Sequence, residues 1–220
     1  MKLGLKYGVL SAHSKALAVV FGLIGSVSSA ETTIVAFGDS LIHGYGLTQG
    51  DGFVPQLQAW LTEQGVAAKV INGGVSGDTT MGGLSRVAWT LTPDVDAMIV
   101  TLGGNDFLRG LDPAASKANI TGIVETAQAQ GVEVLLTGMQ APGNYGPDYK
   151  QAFDALYGEI AREYDTLLAD SYFAGLPSDD PAQLGDLMQA DGIHPNREGV
   201  ALIVDALGPQ VLDLIERSKD

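Results

Sequence analysis

The chain contains no cysteine among its 220 residues. Disulfides, thiolate metal ligands and a cysteine-linked lipid are therefore excluded, and the folded state must be stable without cross-links. Histidine is also scarce, because only His43 and His194 lie beyond the first thirty residues. Imidazole and thiolate ligands for a metal are thus poorly supplied, although carboxylate sites remain possible. We expect no metal and no cofactor.

Positive charge is in short supply as well. The chain has 12 Lys and Arg against 26 Asp and Glu, which gives a formal net charge of −14. Clustered cations hold the phosphate backbone of nucleic acids, so we expect no nucleic-acid partner. The negative field also disfavours strongly anionic substrates, modestly because salt screens distant charges.

The N-terminal apolar run, residues 17–24, is well short of the about 20 residues that a membrane-spanning helix needs. Three lysines and no acidic residue precede it, and Ser28-Ser29-Ala30 follows it. This order is typical of a secretory signal peptide. We therefore predict a signal over residues 1–30, export to the periplasm or the medium, and no stable membrane anchor. The remaining residues, 31–220, are expected to form one monomeric domain.

Beyond the signal, short apolar runs alternate with longer amphipathic ones, a pattern that predicts a parallel sheet with helices on both faces. Five strands suit a three-layer, flavodoxin-like α/β fold of strand order 2-1-3-4-5. The predicted strands are 32–37, 68–72, 97–102, 132–137 and 166–169. The predicted helices are 54–64, 80–90, 114–130, 149–164 and about 196–216.

Four segments rich in Gly, Asn and Asp stand out from this pattern. They are Gly38-Asp39-Ser40-Leu41, residues 73–78 (GGVSGD), Gly103-Gly104-Asn105-Asp106 and Asp191-Gly192-Ile193-His194-Pro195. Each of the first three follows a predicted buried strand. The carboxyl ends of parallel strands meet at one edge of a sheet, so these three segments should meet there.

Each residue of interest has an ordinary structural interpretation beside the functional one. Ser40 and Asp39 are both good helix N-caps, and Asn105 suits a turn. Gly77 can belong to a flexible turn, or it can present an unobstructed N–H. As a set, however, these residues offer a hydroxyl nucleophile and hydrogen-bond donors for an oxyanion.

The fourth segment supplies the missing base. Asp191 lies three residues before His194, close enough to accept from its Nδ1–H and leave Nε2 free to take a proton. An Asp-Gly turn beside an exposed histidine is the alternative interpretation. Together the four segments contain every residue type needed for acyl transfer through a serine.

The four segments resemble the four sequence blocks of the SGNH (GDSL-type) hydrolases. Residues 75–79, 102–110, 142–146 and 191–196 further resemble the branch of periplasmic multifunctional thioesterases, lysophospholipases and arylesterases. The likeness extends over roughly residues 32–215, and residues 171–190 match less clearly. It implies the fold predicted above and a small-molecule acyl ester or thioester substrate.

The resemblance also implies a role for each site residue. It makes Ser40 the nucleophile, His194 the general base and acid, and Asp191 the residue that orients His194. The oxyanion hole would consist of the Ser40 and Gly77 N–H groups and the Asn105 side chain. The substrate is expected to contact four further residues: Asp39, Leu41, Asn144 and Tyr145.

Two alternatives stay open at this point. A carbohydrate O-acetyl esterase would use the same machinery, and a non-enzymatic binding module could use the same sheet. The second is disfavoured because neither Gly-x-Gly-x-x-Gly nor a Walker-type Gly-Lys-Ser/Thr occurs. An α/β-hydrolase is disfavoured because Gly-x-Ser-x-Gly is absent.

Overall fold

The computed structural model describes residues 31–178 and 184–219, together with Met1 and Gly4. Apart from these last two, the predicted signal peptide over residues 1–30 lies outside the described residues. The strands are Thr32–Gly38 (β1), Ala68–Gly74 (β2), Ala97–Thr101 (β3), Glu133–Thr137 (β4) and Leu167–Ala169 (β5). They form one parallel sheet of order β2-β1-β3-β4-β5.

Helices cover both faces of the sheet, which confirms the predicted three-layer α/β fold and its strand order. The helices are Ser40–His43 (α1), Phe53–Glu63 (α2), Thr80–Thr90 (α3), Gly104–Leu108 (α4), Pro113–Gln128 (α5), Pro147–Tyr164 (α6) and Arg197–Arg217 (α7). On one face α2 packs against α7, and on the other α5 lies between α3 and α6.

Burial on both faces explains why the two central strands, β1 and β3, have continuously apolar rather than alternating sequences. All seven residues of β1 and all five of β3 are buried, because helices cover both sides of the sheet. Edge strand β2 is only partly covered and carries polar residues. The sheet centre is therefore the core of the fold, and its loops are held at a rigid edge.

Helices α1 and α4 were absent from the sequence prediction, which otherwise placed every long element within a few residues. Both are shorter than two turns, so they carry no readable apolar period. Their formation depends on close approach: a Cβ on Gly38 would lie 2.5 Å from both Ile42 Cγ1 and Thr101 O. Only glycine lets α1 start directly over the ends of β1 and β3.

No helix in the described part of the chain is long and apolar enough to cross a bilayer.

A buried carboxylate ties α4 to two of its neighbours. Asp106, 1% exposed, accepts from Thr80 N (2.9 Å), Thr80 Oγ1 (2.6 Å) and Ser116 Oγ (2.9 Å). Asn119 Nδ2 then donates to Thr80 Oγ1 at 3.0 Å. These bonds join the start of α3, α4 and α5 beneath the loop that carries Asn105, because a buried carboxylate must be fully hydrogen-bonded.

Asp106→Ala should therefore destabilise the fold strongly. It leaves three donors facing a cavity, and we expect a loss of about 3 kcal/mol or more in the free energy of unfolding. For a domain of this size that corresponds to a fall in Tm of about 6–12 °C. Differential scanning calorimetry measures it. Asp205→Ala, at an exposed position of α7, is the control and should change Tm little. Equal Tm values for the two variants would contradict the structural role of Asp106.

Candidate active site

Ser40 begins α1 directly after β1, at the carboxyl edge of the sheet. Asp39 caps this helix by accepting from Leu41 N at 3.0 Å. Ser40 itself is thus not the cap, and its hydroxyl is free to point elsewhere. Its Oγ lies 2.8 Å from His194 Nε2, although the two residues are 154 positions apart. The fold therefore joins the first and fourth sequence segments by a direct hydrogen bond.

His194 is held on its other side by Asp191. Asp191 Oδ2 lies 2.7 Å from His194 Nδ1, while Oδ1 accepts from Ile193 N (2.9 Å) and His194 N (3.1 Å). Partial burial would raise the pKa of Asp191, but these backbone and side-chain hydrogen bonds outweigh it and lower the pKa. An ionised Asp191 requires a proton on Nδ1, which leaves Nε2 as the acceptor facing Ser40.

The second and third segments contribute to the same cavity, since Gly77 and Asn105 both line it with Ser40 and His194. Gly77 has a φ of +84°, a conformation that favours glycine. Its carbonyl accepts from Arg109 Nη2 at 2.8 Å. Its N–H donates to none of the described residues. Gly77 can thus offer a backbone donor to a ligand.

Asp39 is the buried acid of the site. It is 2% exposed, and burial raises its pKa to about 6, against hydrogen bonds from Leu41 N and the Asn105 side chain that lower it. The Asn105 bond joins Nδ2 to Asp39 Oδ2 over 3.0 Å. The positive field of a protonated His194 also favours the Asp39 carboxylate, whereas Asp78 opposes it.

The cavity in front of Ser40 has a volume of about 900 Å³. Its wall is largely apolar, which suits a hydrocarbon-bearing ligand. The apolar lining consists of Leu41, Tyr45, Phe107, Leu108, Met139, Ala141, Pro142, Phe173 and Ile193. Lys150 also lines it, but its ammonium group is paired with Asp154 Oδ2 (2.7 Å) and Ala141 O (2.8 Å).

Two residues expected at the substrate lie elsewhere. Among the described residues, the cavity wall ends at Gly143 and includes neither Asn144 nor Tyr145. A 3-10 turn over Gly143–Tyr145 directs the Tyr145 ring onto Tyr149, with centroids 5.0 Å apart. The loop therefore lines the cavity with residues 139–143. Of the other two expected contacts, Asp39 and Leu41 do line the cavity.

Sequence reasoning missed three supporting side chains. The first is Arg86, whose Nη groups donate to Gly38 O and Gly73 O, each at 2.9 Å, and whose Nε lies 2.6 Å from Asp78 Oδ2. Its guanidinium also covers the Phe37 ring at 3.9 Å. Arg86 is the one charged residue of α3, and this is the sequence feature that could have indicated a supporting role. Arg86 fixes the ends of β1 and β2 against the loop that carries Gly77.

Gln189 and Tyr45 hold the histidine loop. Gln189 N donates to His194 O at 2.8 Å, and its Nε2 donates to Tyr45 O (2.8 Å) and Pro195 O (3.0 Å). The Tyr45 ring lies 4.9 Å from the His194 ring. Nothing in the local sequence signals the contacts with Tyr45, because they join loops some 145 residues apart.

The residues described here do not assemble a metal site. Within residues 31–178 and 184–219, no three His, Cys, Asp or Glu side chains are grouped as ligands. His43 instead places Nδ1 2.9 Å from Ser76 Oγ. The groups that the site does present are a serine hydroxyl, an imidazole and hydrogen-bond donors around an apolar cavity.

Comparison with known proteins agrees with this arrangement. The model of the GDSL-like lipase/acylhydrolase family matches residues 36–202. Esterase TesA of Pseudomonas aeruginosa is 37% identical over 188 residues, covering 85% of this chain and 91% of the relative. Thioesterase 1/protease 1/lysophospholipase L1 of Escherichia coli is 32% identical, with 86% and 87% covered.

Solved structures show the same likeness in three dimensions. AlinE4, an esterase of the SGNH-hydrolase family, is 41% identical with a TM-score of 0.69, covering 84% of this chain and 97% of that one. On the extent of these matches, the chain belongs to the GDSL-like lipase/acylhydrolase family, the SGNH hydrolases.

Proposed function

We propose that the protein is a serine hydrolase that cleaves carboxylic esters and thioesters through an acyl-enzyme on Ser40. The observation that carries the proposal is the continuous hydrogen-bonded series Asp191 Oδ2, His194 Nδ1, His194 Nε2 and Ser40 Oγ, with steps of 2.7 and 2.8 Å. The esterase and thioesterase names of its relatives support the same reaction class.

In the first half-reaction, Ser40 Oγ forms a bond to the acyl carbon while His194 Nε2 accepts its proton. The carbonyl π electrons move to the oxygen, and the oxyanion is bound by the Ser40 and Gly77 N–H groups and by Asn105 Nδ2. When the tetrahedral intermediate collapses, the alkoxide or thiolate departs with the proton of His194. Asp191 stabilises the transient imidazolium.

In the second half-reaction, water takes the place of the alcohol or thiol. His194 accepts a proton from the water as its oxygen bonds to the acyl carbon. Collapse breaks the bond to Ser40 Oγ, which regains its proton, and the carboxylic acid is released. The apolar cavity of about 900 Å³ holds the acyl group during both halves.

The N-terminal sequence also supports a proposal about where the enzyme works. We propose that residues 1–30 direct export and are removed, so that the mature enzyme begins at Glu31 and works outside the cytoplasm, in the periplasm or the medium. Loss of three lysines moves the formal charge from −14 to −17. The enzyme is proposed to act as a monomer on small acyl substrates, with no nucleic-acid partner and no cofactor.

Covalent labelling tests the nucleophile. A fluorophosphonate probe should label the mature protein, and Ser40→Ala should abolish labelling and lower turnover by about 10⁴-fold or more. Ser76→Ala is the matched control, because Ser76 also lines the cavity and also contacts a histidine, His43. Ser76→Ala should still label. Intact-protein mass spectrometry detects the covalent adduct. If Ser40→Ala were still labelled, the nucleophile would be a residue other than Ser40.

The oxyanion donor is tested by removing its amide. Asn105→Ala should lower kcat by about 10²–10³-fold, because one donor to the developing charge is lost. KM should change little, since the ground-state carbonyl is less charged than the transition state. Steady-state kinetics with a p-nitrophenyl ester measures both constants. Wild-type kcat in this variant would remove Asn105 from the oxyanion hole.

Acyl-chain length distinguishes this proposal from a carbohydrate O-acetyl esterase. We expect kcat/KM for p-nitrophenyl esters to rise by about two- to fourfold per methylene from acetyl, since each buried CH2 contributes about 0.8 kcal/mol. Phe107→Ala, in the cavity wall, should flatten the series. Trp89→Ala, 88% exposed and outside that wall, should not. A rate that falls beyond acetyl would instead favour the deacetylase.

A further inference from the structure

The carboxylate of Asp39 has no part in the reaction described above. It lies directly before Ser40, is 2% exposed, and uses both oxygens: Oδ1 accepts from Leu41 N and Oδ2 from Asn105 Nδ2, each over 3.0 Å. With so little exposure and both oxygens engaged, it is poorly placed to bind substrate.

Helix capping does not require a charge here. Asparagine, serine and aspartate cap helices about equally well, and each would accept from Leu41 N. The charge is in fact costly, since burial raises the pKa of Asp39 to about 6 and its ionisation weakens the fold above that pH. A capping role alone therefore favours a neutral residue.

The bond to Asn105 does require a carboxylate. An amide has a donor end and an acceptor end of nearly equal size, so its orientation depends on its partners. An ionised carboxylate only accepts, and it therefore holds the nitrogen of Asn105 toward itself. One N–H of Asn105 then binds Asp39, and the second remains available to the cavity that both residues line.

We propose that Asp39 is a positioning residue, which acts through Asn105 by fixing the donor end of its amide toward the substrate oxygen. This inference rests on the proposed function. It explains why the acid stands beside the nucleophile: one side chain caps the helix of Ser40 and orients a donor that belongs to another strand end. The carboxylate itself stays behind the oxyanion hole.

Asparagine at position 39 provides the sharpest test. Asp39→Asn preserves volume and cap, but its own NH2 then faces Asn105 and favours the reversed amide. We expect kcat for a p-nitrophenyl ester to fall about 10–100-fold while KM changes less than about threefold. Asp39→Ser keeps a cap but is too short to reach Asn105, and it should show the same loss.

The matched control is Asp112→Asn. Asp112 caps α5 in the same manner, accepting from Ala114 N at 2.9 Å, and lies outside the cavity wall described above. Its variant should keep wild-type kcat and KM. If Asp112→Asn lost activity to the same degree as Asp39→Asn, a general effect of cap substitution would explain both, and the positioning role would be overturned.

A double-variant cycle separates positioning from other roles. In the Asn105→Ala background, Asp39→Asn should cause little further loss of kcat, because there is no amide left to orient. Additive losses would overturn the inference, as would a wild-type kcat in Asp39→Asn beside an impaired Asn105→Ala. Full activity of Asn105→Ala would instead contradict the proposed oxyanion hole, so the two failures are distinguishable.

The difference in Tm between Asp39→Asn and wild type is a second readout. A carboxylate that only stabilised the fold would make this difference change with pH in the opposite direction to the one expected here. The charged groups facing Asp39 are His194 and Asp78, and the buried hydroxyls of Tyr157 and Tyr172 lie within its field. Because the folded pKa of Asp39 is above its unfolded value of 3.8, its favourable contribution to stability is complete below about pH 4. That contribution is lost as pH rises through 6.

The Tm of Asp39→Asn relative to wild type should therefore rise by about 5 °C or more between pH 4 and pH 8, measured by calorimetry. His194 and Asp78 are present in both proteins, so the difference in Tm reports the substitution at position 39. A Tm of Asp39→Asn that falls relative to wild type between pH 4 and pH 8 would show that the charge serves the fold, against the inference.

Discussion

The hydrogen bond between Ser40 and His194 depends on a constraint that neither residue supplies: parallel strands end at a common edge. Ser40 follows β1, Gly77 follows β2 and Asn105 follows β3, and these three strands are neighbours in the sheet. A parallel sheet thus collects residues from distant parts of the chain at one edge, where their loops can contact one another. The C-terminal loop then has only to bring His194 to this edge.

Beneath the edge, two polar anchors keep the loops from moving independently. Arg86 holds the ends of β1 and β2, and Asp106 holds α4 against α3 and α5. Both are charged groups at little-exposed positions, where unsatisfied polar atoms are expensive, so each network favours one arrangement of its loops. The donors of the site are therefore positioned before a substrate arrives, which is the condition for effective electrostatic stabilisation.

Two aspartates at the site have pKa values shifted in opposite directions, because their surroundings differ. Asp191 accepts three hydrogen bonds and has a lowered pKa, so it remains an anion beside His194. Asp39 is nearly fully buried and has a pKa raised to about 6. The first is a stable counterion for an imidazolium, and the second carries a charge that the fold tolerates at some cost in stability. Such a cost is common where a site needs a particular orientation of its groups.

Local sequence patterns determined most of the fold: the five strands, their parallel order, the five long helices and the three polar segments that follow strands at one edge all follow from apolar periodicity and spacing. They also identified Ser40, Gly77, Asn105, Asp191 and His194 as residues of one site, because each chemical role has few suitable residue types. Short elements such as α1 and α4 were beyond reach, since a single turn carries no period.

Only the tertiary structure decided how the supporting polar groups around the site pair. It paired Asp39 with Asn105, Arg86 with two strand ends, and Gln189 with the loops of Tyr45 and His194. It also turned Tyr145 onto Tyr149 and away from the cavity. These outcomes depend on side-chain directions and distances between segments remote in the chain, and local sequence contains no record of either.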